Sequence, residues 1–153
     1  MRKQYCSFHL GDLFMGVEVR HVQEVLRYQK MTRVPLAAAV VEGLINLRGQ
    51  IVTAIDLRRR LGLPERAGDQ LPMNVVVRDD DGIVSLLVDE IGDVLEVEED
   101  EIQAPPSTLH GTSRDLIHGI FKLESRLLLL LDIEQMFGID AAACMATTAK
   151  GSA

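Results

Sequence analysis

The side chains that could do chemistry are few, and their spacing works against it. Asp79-Asp80-Asp81-Gly82 could suggest a calcium loop. Such a loop needs a carboxylate two residues earlier, where Val77 stands, plus a downstream glutamate and flanking helices. The run reads instead as a β-turn, for which Asp-Gly is favourable chemistry. His9, His21, His110 and His118 show no HxxxH spacing, so no metal is expected. Cys6 and Cys144 form no CxxC pair; Cys6 lies in alternating apolar sequence and is expected in the core. GxGxxG, GxxxxGK[ST] and GxSxG are all missing, so phosphate cradling and serine hydrolysis lack their backbone devices and no cofactor is expected. Glu98-Glu99-Asp100-Glu101 reads as a solvated loop of mutually repelling carboxylates, and Arg58-Arg59-Arg60 as a solvated helix face. These residues point away from an enzyme and toward a binding protein.

Bulk composition narrows the partner. The 153 residues are 47% hydrophobic, enough for a real core, yet contain no Trp, two Tyr and four Phe. Val, Ile and Leu dominate, which suits packed sheets better than an aromatic-lined pocket. A formal net charge of −7 disfavours nucleic acid and anionic membrane surfaces, both of which are gripped by clustered Lys and Arg. Met-Arg-Lys-Gln-Tyr leads straight into strand-like sequence without an apolar leader. The apolar run Leu127–Leu131 is far too short to span a bilayer, so a soluble, cytoplasmic chain is expected.

The elements that would carry a binding surface are short strands. Cys6, Phe8 and Leu10 alternate with Tyr5, Ser7 and His9; Gly11-Asp12 turns; Leu13, Met15, Val17 and Val19 alternate again, giving a hairpin. Val22, Val25 and Leu26 fall at helical spacing and predict a short amphipathic turn or helix that carries Glu24. Residues 42–57 predict a second hairpin pivoting at Arg48-Gly49. Asp56 would cap a short helix running to Leu61, stopped by Gly62, and a polar loop spans Pro64–Pro72.

The second half repeats this plan. Gly43–Leu57 matches Gly119–Ile133 at an offset of 76, and Phe14–Leu26 matches Ile83–Leu95 at an offset of 69. The difference predicts about seven extra residues, placed most simply in the loop 98–115. A duplication of this length built from strands predicts an all-β fold of two similar barrels with short helices. The halves are about 5–62 and 73–138, and a tail at 141–153 is expected to be disordered. Positions shared by both copies, such as Gly43/Gly119, Ile55/Leu131 and Asp56/Asp132, serve the fold. Positions that differ are free to serve function: Asn46 opposes Lys122, Arg48 opposes Glu124 and Gly49 opposes Ser125. A lone Arg on a glycine turn, beside apolar Val22, Val25 and Ile51, is either one half of a surface ion pair with Glu24 or the rim of a protein-binding groove.

The same residues carry a family resemblance. Val22-Gln23-Glu24-Val25, Thr32-Arg33-Val34-Pro35, Val41–Val52 and Ile55-Asp56-Leu57-Arg58 closely resemble the CheW signature. Leu87-Val88-Asp89, Val94-Leu95, Ile102, Pro105-Pro106 and Leu131-Asp132-Ile133 resemble the family's second half, and the likeness runs from about residue 4 to residue 138. In one place the chain departs: Thr53 stands where the family often has proline. The resemblance implies two intertwined five-stranded SH3/OB-like barrels. It implies a non-enzymatic adaptor, cytoplasmic at receptor arrays on the inner face of the membrane. Its partners would be methyl-accepting chemotaxis receptors and the regulatory domain of the histidine kinase CheA. Val22, Glu24, Val25, Asn46, Arg48, Gly49 and Ile51 would face the receptor; the resemblance assigns no kinase-facing residues. A chemosensory-like pathway controlling pili, surface sensing or development is an alternative setting, and a small-ligand-binding barrel is the alternative from another class.

Overall fold

The hairpins predicted from Gly11-Asp12 and Arg48-Gly49 belong to the framework of ten strands found among the described residues. A computed structural model describes residues 2–33, 41–66, 68–79, 82–105 and 116–134. β1 (Arg2–Leu10) and β2 (Leu13–Glu18) form the first hairpin; after one 3-10 turn, β3 spans Val22–Leu26. β4 (Val41–Leu47) and β5 (Gln50–Asp56) form the second hairpin, followed by the one-turn helix α1 (Leu57–Arg60). β6 (Met73–Asp79), β7 (Gly82–Val88), β8 (Glu90–Glu98), β9 (Ile117–Lys122) and β10 (Leu127–Leu131) repeat the series. Asp56 caps α1, its carboxylate accepting from the Arg58 amide at 3.1 Å, and Gly62 adopts φ 72° just past the end, as expected from their chemistry. The Phe137-Gly138 stop, the tail, His110 and Cys144 lie outside the described residues.

The halves do not fold side by side; they exchange strands. One sheet runs β8-β1-β2-β10-β9 and the other β3-β6-β7-β5-β4. Advancing every strand of the second half to its counterpart in the first turns one order into the other, so the duplication is real at the level of topology. Registers agree as well. Gly43 pairs with Ala54 past a bulge at Glu42, and Gly119 pairs with Leu130 past a bulge at His118. Both glycines do the same job: an isolated bridge crosses each, Thr32 to Leu44 and Gln103 to Ile120. A Cβ on Gly43 would sit 2.7 Å from the Thr32 carbonyl oxygen, and one on Gly119 2.5 Å from Ile102 Cγ2.

Strand exchange explains why alternation is incomplete in the sequence. On β10, Leu129 and Leu131 join a core shared by both sheets, while Leu128 and Leu130 join a second cluster with Tyr5, Phe14 and Val97. On β5, Ile55 joins the shared core, and Val52 and Ala54 a third cluster with Ile45 and Leu87. Central strands are therefore buried on both faces, which suits an uninterrupted apolar run. β1 departs from its expected alternation for this reason: Tyr5, Cys6, Ser7 and Phe8 are all buried. Thr53 sits mid-strand between Leu44 and Val84, in a position with ladder partners on both sides.

One predicted element is corrected. Val22–Leu26 is a strand, not a helical turn, and the only helical geometry nearby is the 3-10 turn Val19–His21. The register slips at Gln23 where β3 pairs with β6. Such a bulge adds a residue to one strand, so the apolar pair Val22 and Val25 falls three apart and imitates a helical period.

Candidate functional site

Glu24 and Arg48 come from opposite margins of one sheet. Glu24 lies on β3 and Arg48 directly follows β4, the two outer strands of that sheet. Arg48 Nη2 stands 2.9 Å from Glu24 Oε2 and Nη1 donates to Oε1 at 3.2 Å. The sheet therefore curls until its margins are joined by this pair. Exposure is unequal, with Arg48 79% exposed and Glu24 17%.

The turn that presents Arg48 is strained for its purpose. Arg48 has φ 51° and Gly49 φ 88°, the pair of positive values that a type I′ hairpin requires. Glycine accepts this freely, but an L side chain such as Arg is disfavoured there by roughly 1–2 kcal/mol. Asn46 steadies the turn, its Oδ1 accepting from the Gly49 amide at 2.9 Å. In the second half the hairpin has Glu124-Ser125 in these places, and neither adopts positive φ.

Around the pair, Val25 follows Glu24 and is 43% exposed, and Ile51, opposite Asn46 on the ladder, is 59% exposed. Asn46 and Gly49 are exposed with them. Hydrogen bonds and pairing thus gather Glu24, Asn46, Arg48, Gly49 and Ile51. Val22 stands apart: it is half-buried and packs against the shared core.

A second polar cluster was misread in the sequence. Arg60 is buried and Arg58 and Arg59 are half-buried, so the Arg58–Arg60 run is no solvated face. Asp89, between β7 and β8, accepts from Arg58 Nε at 2.9 Å, Arg66 Nε at 3.0 Å and the Gly11 amide at 2.7 Å, with a further short bond from Arg58 Nη2. Arg66 comes from the loop joining the halves and also donates to the Leu87 carbonyl at 3.2 Å. Burial alone would raise the Asp89 pKa. The hydrogen bonds from Arg58 and Gly11 and the charges of Arg58 and Arg66 outweigh it, holding the carboxyl below its ordinary value. This cluster ties α1, the β1–β2 turn and the loop between the halves to one carboxylate. Its donors lie 23 to 78 positions from Asp89 in sequence, and no local pattern signals them.

A curled sheet with a strained arginine tip and two aliphatic side chains at its joined margins, interlocked with a second sheet of the same strand order, defines a paired-barrel β protein. The match to known proteins agrees. The family described as CheW-like domain matches residues 4–140, and the chain belongs to that family of chemotaxis adaptors. Chemotaxis protein CheW of Treponema pallidum is 32% identical over 138 residues, 88% of this chain and 81% of that protein. The Bacillus subtilis protein of the same name is 37% identical over 117 residues, 76% of this chain and 75% of its own length. Among solved structures, the scaffolding protein TtCheW of Thermoanaerobacter tengcongensis superposes with a TM-score of 0.77 at 28% identity, covering 86% of this chain and 90% of that one. Among the described residues, no helix is long and apolar enough to cross a membrane.

Proposed function

We propose that this chain couples methyl-accepting chemotaxis receptors to the histidine kinase CheA, without chemistry of its own, at receptor arrays on the cytoplasmic face of the membrane. The receptor tip docks on the face built from Glu24, Val25, Asn46, Arg48, Gly49 and Ile51, and the regulatory domain of CheA on a separate surface. Val22 supports this face from the core side. The observation that carries the reading is the Arg48–Glu24 pair, which holds the strained turn beside exposed Val25 and Ile51. Small aliphatic anchors ringed by a fixed ion pair suit a protein partner. Residues 4–138 act as one unit, its two halves about 5–62 and 73–138. Holding both partners at once raises the kinase's effective concentration at the receptor.

The test is titration of the chain against a purified receptor signalling tip and a purified CheA regulatory domain, separately and together. The expected result is binding to each and a ternary complex. Absence of receptor-tip binding, or mutual exclusion of the two partners, would overturn the coupling role.

A further inference from the structure

The two copies of the duplicated hairpin have turns of equal length but different form. In the first, Leu47 pairs with Gln50, and the turn residues Arg48 and Gly49 both take positive φ, 51° and 88°. In the second, the Leu123 amide donates to the Arg126 carbonyl at 2.8 Å, closing an equivalent four-residue turn, yet neither Glu124 nor Ser125 has positive φ. The form with two positive φ values matches the twist of the strands but takes an L residue into the left-handed region. Loop length and flanking strands therefore leave the choice open, and side chains make it.

Glycine at position 49 permits the left-handed form, where its twin has serine. Permission is not selection. A Cβ on Gly49 would meet nothing within 4 Å, and Asn46, Arg48 and Gly49 are all exposed, so packing does not press the turn into this shape. The Gly49 amide donates to Asn46 Oδ1 at 2.9 Å. That bond fixes the orientation of the Arg48–Gly49 peptide, and with it ψ of Arg48 and φ of Gly49. Lys122, which stands in the place of Asn46, has no side-chain acceptor to offer. The form of the turn in turn decides where the Arg48 side chain leaves the backbone. From the turn as it stands, Arg48 Nη2 reaches Glu24 Oε2 at 2.9 Å across the joined margins. An ordinary turn would redirect the Cα–Cβ bond and carry the guanidinium off that carboxylate.

We propose that Asn46 is the positioning residue of the receptor-docking face: by holding the Gly49 amide it selects the turn that aims Arg48 at Glu24, and it sets receptor affinity through Arg48 rather than through a contact of its own. This rests on the adaptor reading and deepens it, by naming what prepares the arginine before the partner arrives. A long side chain already held in place spares the complex the cost of ordering it. The second half, without the asparagine, keeps the hairpin and loses the aim.

The experiment compares wild type with Asn46→Ala, Asn46→Asp, Arg48→Ala and the double variant Asn46→Ala/Arg48→Ala. A purified receptor signalling tip is titrated against each. The free chains are compared by NMR, where a short amide-to-Hα distance within residue 48 reports positive φ. Both positions are exposed, and circular dichroism checks folding. Asn46→Ala should lose about tenfold in receptor affinity, in the range of a truncated interface arginine, and should lose the positive-φ signature. Asn46→Asp keeps an acceptor oxygen and should recover most of both. The double variant should bind no more weakly than Arg48→Ala, because the asparagine acts only through that arginine. Wild-type affinity in Asn46→Ala, lost affinity with an unchanged Arg48 backbone, or losses that add in the double variant would overturn the positioning role. Failure of wild type to bind the tip would remove the docking reading and the effect on affinity with it, while the NMR comparison still decides whether Asn46 holds the turn.

Discussion

Arg48 closes its sheet onto Glu24, while the duplicated positions, Glu124 and Asp93, carry charges of one sign and close nothing. The same backbone plan thus holds one joined margin and one unjoined margin, so the ion pair is not what the fold demands. An ion pair with one partner this exposed contributes about 0–1 kcal/mol. Arg48→Ala should therefore change stability by less than about 1 kcal/mol, by chemical denaturation. Receptor-tip affinity should fall by about 1–3 kcal/mol, as truncated interface arginines commonly do. Glu124→Ala should leave receptor binding intact. Loss of kinase binding by Arg48→Ala, with receptor binding unchanged, would mean that the two faces are exchanged.

Asp89 is the opposite case, a carboxylate whose removal strands buried charge. Asp89→Ala leaves Arg58 and Arg66 without their main counterion, and breaking such a buried pair costs about 3–5 kcal/mol. Urea midpoints should show it. A loss under about 1 kcal/mol would mean that water or Asp56 compensates.

The depressed pKa of Asp89 also sets a pH dependence. Its folded-state pKa lies below the unfolded value, so its contribution is fully present above that unfolded value, about 3.9. The contribution is lost as pH falls through the folded pKa. Wild type should lose stability on acidification below about pH 4, and Asp89→Asn should show a flatter acid limb over the same range. Identical acid limbs in the two proteins would contradict the assignment.

The bridging glycines can be told apart by what their Cβ would meet. Gly43→Ala runs into the Thr32 carbonyl, which is backbone, and Gly119→Ala into a methyl of Ile102. Each should cost about 1–3 kcal/mol, the usual range for overpacking. Ile102→Leu, which lacks the β-branch, should recover part of the loss in Gly119→Ala and none in Gly43→Ala. Equal recovery in both would mean that the clash is not with that methyl.

Ile55 and Leu131 are matched residues on β5 and β10, both buried in the shared core. Ile55→Ala and Leu131→Ala should each cost about 2–5 kcal/mol, from lost transfer energy plus the cavity. Two variants within about 0.5 kcal/mol of wild type would mean that the strand registers are wrong.

Hairpins and the duplication were legible in the sequence because their signals are local: Gly11 and Gly49 supply the positive φ their turns need, and equal offsets recur over long stretches. The Arg48–Glu24 pair was legible for a different reason, since the two copies differ there. β3 was hidden by its bulge at Gln23, which gave a strand a helical spacing. The inward pairing of Arg58 was hidden because its carboxylate, Asp89, is supplied 31 positions away. Alternation shows which face a residue occupies but not which strand lies alongside, so the exchange between halves could not be read from periodicity.

That exchange governs how the protein comes apart. β1 and β2 find their neighbours in β8 and β10, and β6 and β7 find theirs in β3 and β5. Neither half alone can complete a sheet, so each would expose unsatisfied backbone along four strands. During synthesis the first hairpin must wait for residues translated more than 80 positions later, with the aggregation risk that open strand margins bring. Cut within the loop that carries Arg66, the two pieces should be insoluble or unstructured apart and should regain a single cooperative unfolding transition when refolded together.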